Sequence, residues 1–141
     1  MTFSIVPVPV IVDASVAVDL AIGERVETPD AVRAWIAEGR MLLAPAAAWT
    51  EIGNAILRRL DGDAIRATRR LEQVEATGLE TADRGPAGVR SAMILAERHH
   101  LSVYDASYLW LAIDVDGELA THDRDLARAA MAEGVALALG S

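Results

Sequence analysis

The feature that most constrains the fold is a short, β-branched apolar run that ends in one acid. Residues 8–12 are Val, Pro, Val, Ile and Val, and they are followed by Asp13 and a helix-forming segment. Such a run is typical of a strand buried on both faces of a parallel sheet. In open α/β sheets, ligands bind outside the carboxyl ends of the strands. Asp13 is therefore predicted to lie where binding or chemistry takes place.

Strand-like and helical segments alternate along the rest of the chain, which is typical of βαβ units. We expect one α/β domain over residues 1–141, with a short parallel sheet of four to five strands and helices on both faces. Strands are predicted at 8–13, 41–44, 79–81 (minor), 118–121 and 135–139. Helices are predicted at 15–21, 30–38, 45–60, 63–76, 86–99, 102–113 and 123–132.

The composition excludes several kinds of chemistry. The chain has 141 residues, 52% of them apolar, which is enough for a core and argues against disorder. It has no cysteine, so disulfides, thiolate nucleophiles and cysteine-ligated zinc are excluded. The chain has 13 arginines and no lysine. Schiff-base and P-loop lysine mechanisms are excluded for the same reason.

The net charge of −8 constrains the partners. It makes binding of a polyanion over the whole surface unfavourable. It suits a protein that concentrates cations, or one whose arginines are gathered in a single patch. No apolar run reaches the roughly 18 residues of a membrane span. The N-terminus also lacks the charged region of a signal peptide. We therefore expect a soluble cytoplasmic protein with no membrane partner.

Three other acids, Glu51, Asp105 and Asp123, also lie beside the ends of predicted elements. Each has an ordinary explanation, which is favoured when it is taken alone. Asp13 and Asp123 suit helix N-caps, and Asp105 fits a capping box that begins at Ser102. Glu51 lies in the first turns of its helix, where an acid interacts well with the helix dipole.

Taken together, the four acids predict a different role. Asp13 and Asp123 both follow a strand, so they lie at the same end of a parallel sheet. Partly buried carboxylates that converge repel one another and raise each other's pKa values unless a cation lies among them. Oxygen ligands favour Mg²⁺ or Mn²⁺ over zinc, and such a site suits phosphoryl chemistry. The Ser15 and Thr121 hydroxyls can orient a water or phosphate there, or simply cap turns.

Four segments of the chain, in order, resemble the PIN-domain ribonucleases, and in particular the VapC-type toxins. They are residues 10–15, 45–55, 101–106 and 119–126. The resemblance covers essentially the whole chain. It implies a metal-dependent endoribonuclease that cuts structured RNA such as tRNA or rRNA. It also implies a homodimer that is held inactive by a VapB-like antitoxin.

The resemblance also assigns roles by position. Asp125 lies close enough along the chain to Asp123 to be an alternative fourth ligand, and His122 stands where the family usually has a small or apolar residue. The implied Mg²⁺ or Mn²⁺ ligands are Asp13, Glu51, Asp105 and Asp123, with Ser15, Asn54 and Thr121 as supporting residues.

Five arginines crowd one stretch of two predicted helices. They are Arg58, Arg59, Arg66, Arg69 and Arg70. They can dock phosphates of RNA, or they can belong to a solvated helix pair with ion pairs to Asp61, Asp63 and Glu72. If the chain is a toxin, these helices are expected to face the antitoxin.

Two other functions stay open at this point. One is a haloacid-dehalogenase-like phosphohydrolase, which also begins with a strand-end aspartate. That class wants a second aspartate two residues later, where this chain has Ser15. The other is a PIN-fold module that binds RNA or protein without cutting it.

Outside these candidate residues, Asp19 is expected on the surface.

Overall fold

Four parallel strands form one sheet in this computed structural model, which describes residues 6–140. The strands lie in the order β3-β2-β1-β4. Val10 pairs with Leu42 on one side and with Glu118 on the other, so β1 is central. The bounds are β1 Val10–Val12, β2 Leu42–Pro45, β3 Glu80–Ala82 and β4 Glu118–Ala120.

Seven helices surround the sheet in the described residues. One group consists of α1 packed against α2, α3 and α4, and the other of α6 packed against α5, α7 and three strands. The expected α/β fold is thereby confirmed. The bounds are α1 Ala14–Ile22, α2 Glu27–Ala37, α3 Ala48–Arg59, α4 Ala64–Glu75, α5 Gly85–His99, α6 Val103–Asp114 and α7 Arg124–Ala132.

Two predicted boundaries are wrong. Pro45 does not open α3 but ends β2, where it pairs with Ala82. A proline holds the preceding residue in extended backbone, which favours strand over helix at Ala44. Residues 135–139 do not form a full strand. Leu137 makes an isolated parallel bridge to Leu119, which adds a short extension beside β4.

The core lies where the sheet meets the helices. Val10, Ile11 and Leu119 have no exposed surface, as expected for strands covered on both faces. Helix α6 buries Leu109 and Leu111 in the core, whereas Ile113 is exposed. Within residues 6–140, none of the helices combines the length and apolar character needed to cross a bilayer.

The start of β4 depends on a close backbone approach. Gly117 directly precedes the strand, and a Cβ atom on it would lie 2.9 Å from the carbonyl oxygen of Pro9. The same oxygen accepts a hydrogen bond of 2.9 Å from the Glu118 N–H. Glycine at this position therefore allows β4 to pair with β1.

We expect Gly117→Ala to lower the free energy of unfolding by about 1–3 kcal/mol, because the new methyl group forces backbone apart. Urea denaturation monitored by circular dichroism measures this. The matched control is Gly53→Ala in α3, where no atom lies within 4 Å of the added Cβ. That control should stabilise the protein by about 0.5–1 kcal/mol. Equal effects of the two substitutions would contradict the steric argument.

Candidate metal centre

The candidate site lies at the point where the order of the strands reverses. The chain builds β2 and β3 on one side of β1 and later places β4 on the other side. Asp13 follows β1, and its N–H donates to the carbonyl oxygen of Ala120 at 2.9 Å, at the end of β4. The carboxyl ends of strands at such a switch point are the usual ligand site of an open parallel sheet.

The Asp13 carboxylate is buried, with 3% of the residue exposed. Its Oδ2 accepts hydrogen bonds from Ser15 Oγ at 2.6 Å and Thr121 Oγ1 at 2.8 Å. Its side chain makes no cap hydrogen bond to α1, so the ordinary capping explanation is wrong for this residue. Both hydroxyls therefore lie beside the Asp13 carboxylate, as expected from the sequence.

The same two hydroxyls also hold the turn after β4. Ser15 Oγ accepts from the N–H of His122 at 3.0 Å, and Thr121 Oγ1 accepts from the N–H of Asp123 at 3.0 Å. Each hydroxyl therefore donates to Asp13 and accepts from the backbone of residues 122 and 123. The ends of β1 and β4 are joined by a continuous hydrogen-bond network.

Asp123 and Asp105 both lie at helix starts. Asp123 caps α7, since its Oδ1 accepts from the N–H groups of Asp125 and Leu126 at 2.8 and 3.2 Å. Ser102 caps α6, and its Oγ accepts from the Asp105 N–H at 3.0 Å. The capping predictions for Asp123 and Ser102 are confirmed. A helix cap and a place beside Asp13 are compatible roles for Asp123, because Oδ1 takes both cap bonds.

Glu51 is held by a tyrosine that the sequence analysis did not single out. Tyr108 in α6 is 1% exposed, and its hydroxyl donates to Glu51 Oε1 at 2.9 Å. Burial, followed by the charge of Glu51, raises the pKa of Tyr108, which keeps it a donor. The available signal was its spacing, because Tyr108 lies three residues after Asp105 and shares its side of the helix.

The acids influence one another's ionisation. Burial is the largest cause that raises the pKa values of Asp13, Glu51 and Asp105. The charge of Asp123 further raises the pKa of Asp13, and the charge of Asp13 raises those of Glu51 and Asp105. The negative charges therefore lie within electrostatic reach of one another around Asp13. A cation bound among them would relieve their repulsion.

The donor set fits a hard divalent cation in its chemistry. It consists of carboxylate and hydroxyl oxygens, the ligands that Mg²⁺ and Mn²⁺ prefer. In residues 6–140, no group of three or more His, Asp or Glu side chains lies close enough together to hold a metal ion. The four acids are thus close enough for their charges to interact. Their side chains do not converge tightly enough in the described residues to surround a metal ion.

Of the remaining candidate residues, Asp125 still acts on this region, because its charge is one of the smaller causes that raise the pKa of Asp105. Asn54 is exposed on α3. Asp125 is exposed and pairs with Arg128 at 2.9 Å, so Asp123 is the better placed of the two neighbouring acids. Arg59 pairs with Glu24, and Arg70 donates to the carbonyl oxygen of Ala21 at 3.1 Å.

The local ion pairs that one of the two interpretations of the arginine stretch predicts do not form. In the described part of the chain, Asp61, Asp63 and Glu72 make none with these arginines; Asp63 instead caps α4 through the Arg66 N–H. Arg58 lies seven residues after Glu51, roughly 10 Å along the axis of α3. The stretch is therefore a surface apart from the acids.

The fold and the site together define a class of protein. It is an α/β domain with helices on both faces of a parallel sheet and acids at the switch point of that sheet. A model of the PIN domain family matches residues 10–131, so the chain belongs to the PIN domain family. No curated protein sequence matches the chain significantly.

Several solved structures share this fold. PAE2754 from Pyrobaculum aerophilum is 26% identical with a TM-score of 0.70, covering 94% of this chain and 85% of that one. VapC20 from Mycobacterium tuberculosis, a sarcin-ricin loop cleaving toxin, is 17% identical with a TM-score of 0.68, covering 85% and 94%. VapBC2 from Rickettsia felis, bound to a DNA fragment from its promoter, is 12% identical with a TM-score of 0.69, covering 91% and 96%.

The raised pKa of Asp13 predicts how stability depends on pH. Because the native state holds this proton more tightly than the unfolded chain, the free energy of unfolding falls as pH rises above the ordinary value of 3.8 and through the native pKa. We expect Asp13→Asn to raise the Tm at pH 7 in EDTA, with the gain lost below pH 3.8. The amide oxygen can still accept both hydroxyl bonds.

Differential scanning calorimetry between pH 3 and pH 8 measures this effect. The control is Asp30→Asn, since Asp30 is exposed and its ion pair with Arg33 contributes little. A lower Tm for Asp13→Asn at pH 7 without metal would show that ionised Asp13 stabilises the fold, which contradicts the prediction.

Proposed function

We propose that this PIN domain is a Mg²⁺- or Mn²⁺-dependent endoribonuclease, and the toxin of a VapBC-type toxin–antitoxin pair. The observation that carries the proposal is that Asp13, Glu51 and Asp105 lie within electrostatic reach of one another at the switch point, and that the charge of Asp123 acts on Asp13 and Asp105. The family and the described activities of similarly folded proteins support it, including a toxin that cleaves the sarcin-ricin loop.

Each acid has a proposed role. Asp13, Asp105 and Asp123 would hold the metal, and Glu51 would position the attacking water or bind a second metal. When bound, a divalent ion lowers the pKa of its water and offsets the charge on phosphate oxygens. The Ser15 and Thr121 hydroxyls fix the orientation of the Asp13 carboxylate, and the Tyr108 hydroxyl fixes that of Glu51.

We infer that structured RNA such as tRNA or rRNA is the substrate. This chemistry needs no thiolate or lysine, which agrees with a chain that contains neither. The net charge of −8 is unfavourable for binding a polyanion broadly, so RNA contact would be confined to local groups.

The arginine surface of α3 and α4 is assigned to the VapB-like antitoxin in this proposal. It lies apart from the acids, and Arg58, Arg66 and Arg69 are exposed on it. Guanidinium groups bind carboxylates in bidentate geometry, so an acidic antitoxin segment suits this surface. A tail that reaches from here toward the strand ends would cover the candidate site.

We expect Asp13→Asn and Glu51→Gln to lose RNA cleavage by at least about 100-fold, because each removes a charge that acts on the reacting groups. Both variants should stay folded by circular dichroism. The measurement is cleavage of a tRNA and rRNA pool with Mg²⁺ or with EDTA. Asp123→Asn should lose activity, whereas the matched Asp125→Asn should keep it.

The other functions give different results in the same assay. Full activity of purified Asp13→Asn, or cleavage that persists in EDTA, would overturn the nuclease proposal. RNA binding without any cleavage in Mg²⁺ or Mn²⁺ would favour the non-catalytic binding module. Hydrolysis of p-nitrophenyl phosphate, which we expect to be absent, would favour the phosphohydrolase.

A homodimer is also proposed, on the basis of apolar side chains that the isolated chain leaves exposed. Val89, Met93 and Ile94 on α5 are 52%, 53% and 62% exposed, and Tyr104 on the neighbouring α6 is 62% exposed. Apolar surface of this extent on adjacent helices is typical of a protein interface.

We expect Met93→Glu to shift the protein from dimer to monomer, because it places a charge in an apolar contact. Size-exclusion chromatography with light scattering at tens of micromolar measures this. Met131→Glu on α7 is the control, since Met131 is also exposed, at 61%, but lies on another helix. Monomeric wild-type protein at these concentrations would contradict the homodimer.

A further inference from the structure

The turn after β4 carries one residue whose side chain the proposed function does not use. His122 stands between Thr121, which binds Asp13, and Asp123, which caps α7. Its N–H donates to Ser15 Oγ, so its backbone belongs to the network around Asp13. Its ring does not contact that network but reaches α1 and α2.

The ring of His122 lies among buried polar groups at the junction of these two helices. Its Nε2 is 3.2 Å from Thr28 Oγ1 and 3.6 Å from Asp19 Oδ2. Thr28 has no exposed surface, and Asp19 is 4% exposed, so the expectation that Asp19 lies on the surface is wrong. Asp19 Oδ1 accepts from the Arg25 N–H at 3.1 Å, which ties the end of α1 to the segment before α2.

One atom in this junction has no hydrogen-bond partner. Among the described residues, Asp19 Oδ2 is the buried side-chain oxygen left without one. The polar group facing it is the His122 imidazole. Buried polar groups without partners are costly, so removing the ring would take the hydrogen-bond partner from Thr28 and the nearest polar neighbour from Asp19 Oδ2. The ring is therefore held from two elements that are remote from it in sequence.

We propose that His122 is a positioning residue that fixes the turn of residues 121–123 against the α1–α2 junction. In this way it sets the places of the Thr121 hydroxyl and the Asp123 carboxylate relative to Asp13. The part of this inference that concerns metal affinity rests on the proposed function. The part that concerns the order of the turn does not, because it follows from contacts of the protein alone.

The first experiment measures amide hydrogen exchange by NMR in metal-free protein. The Asp123 N–H, which donates to Thr121 Oγ1, reports on the turn, and the Ile11 N–H in β1 reports on the core. In His122→Ala we expect the Asp123 amide to exchange about tenfold faster, and by a clearly larger factor than the Ile11 amide, as local opening requires. Equal acceleration of both amides would show only a general loss of stability and would overturn the proposal.

The second experiment measures Mn²⁺ affinity by electron paramagnetic resonance. Loss of a residue that orients metal ligands typically weakens metal binding 10–100-fold, so we expect at least a tenfold loss in His122→Ala. His122→Gln should restore most of it, because the glutamine amide can place a polar nitrogen near the position of Nε2. Unchanged affinity in His122→Ala would overturn the assignment.

The control is His99→Ala, which removes another imidazole beside a carboxylate. His99 Nε2 lies 2.6 Å from Glu133 Oε2, a contact between α5 and the end of α7 that lies outside the network around Asp13. This variant should leave both the Asp123 exchange rate and the Mn²⁺ affinity unchanged. If wild-type protein binds no Mn²⁺, the proposed function fails, and the exchange rates alone decide the role of His122.

Discussion

The site depends on one interaction, the pair of hydroxyl hydrogen bonds to the buried carboxylate of Asp13. A carboxylate with 3% exposure carries a large desolvation cost, and the Ser15 and Thr121 hydroxyls offset part of it. The same hydroxyls accept N–H groups from the turn after β4. The hydroxyls that compensate the buried carboxylate after β1 therefore also fix the end of β4 relative to it.

This arrangement explains why the acids can remain together in a protein that is already acidic. Burial, and after it the neighbouring negative charges, raise the pKa values of Asp13, Glu51 and Asp105, so the site destabilises the metal-free fold at neutral pH. The apolar core around β1 must supply the compensating stability. Functional sites commonly retain such unfavourable interactions because the bound ligand relieves them.

Whether an individual acid or arginine caps a helix, forms an ion pair or lies near Asp13 was decided by its contacts, not by the residue type's preference for helix caps. Asp123 is a helix cap, and its charge also raises the pKa of Asp13, so capping α7 does not take it out of the region around Asp13. Asp13 stands at a cap position without capping. The arginine stretch does not form the local ion pairs that one of its two interpretations predicts, and Arg59 pairs with Glu24. A cap preference alone cannot distinguish these cases, because it describes only the nearest few residues.

The sequence by itself determined the α/β class, the place of Asp13 at a strand end and the order of the four acids along the chain. Periodicity and strand-end acids are local properties, and local properties can be read without coordinates. Only the tertiary structure decided that Tyr108 holds Glu51 and that His122 faces Asp19. These contacts join residues 57 and 103 positions apart, which depend on how the helices pack. The same packing buried Asp19, which its polarity had placed on the surface.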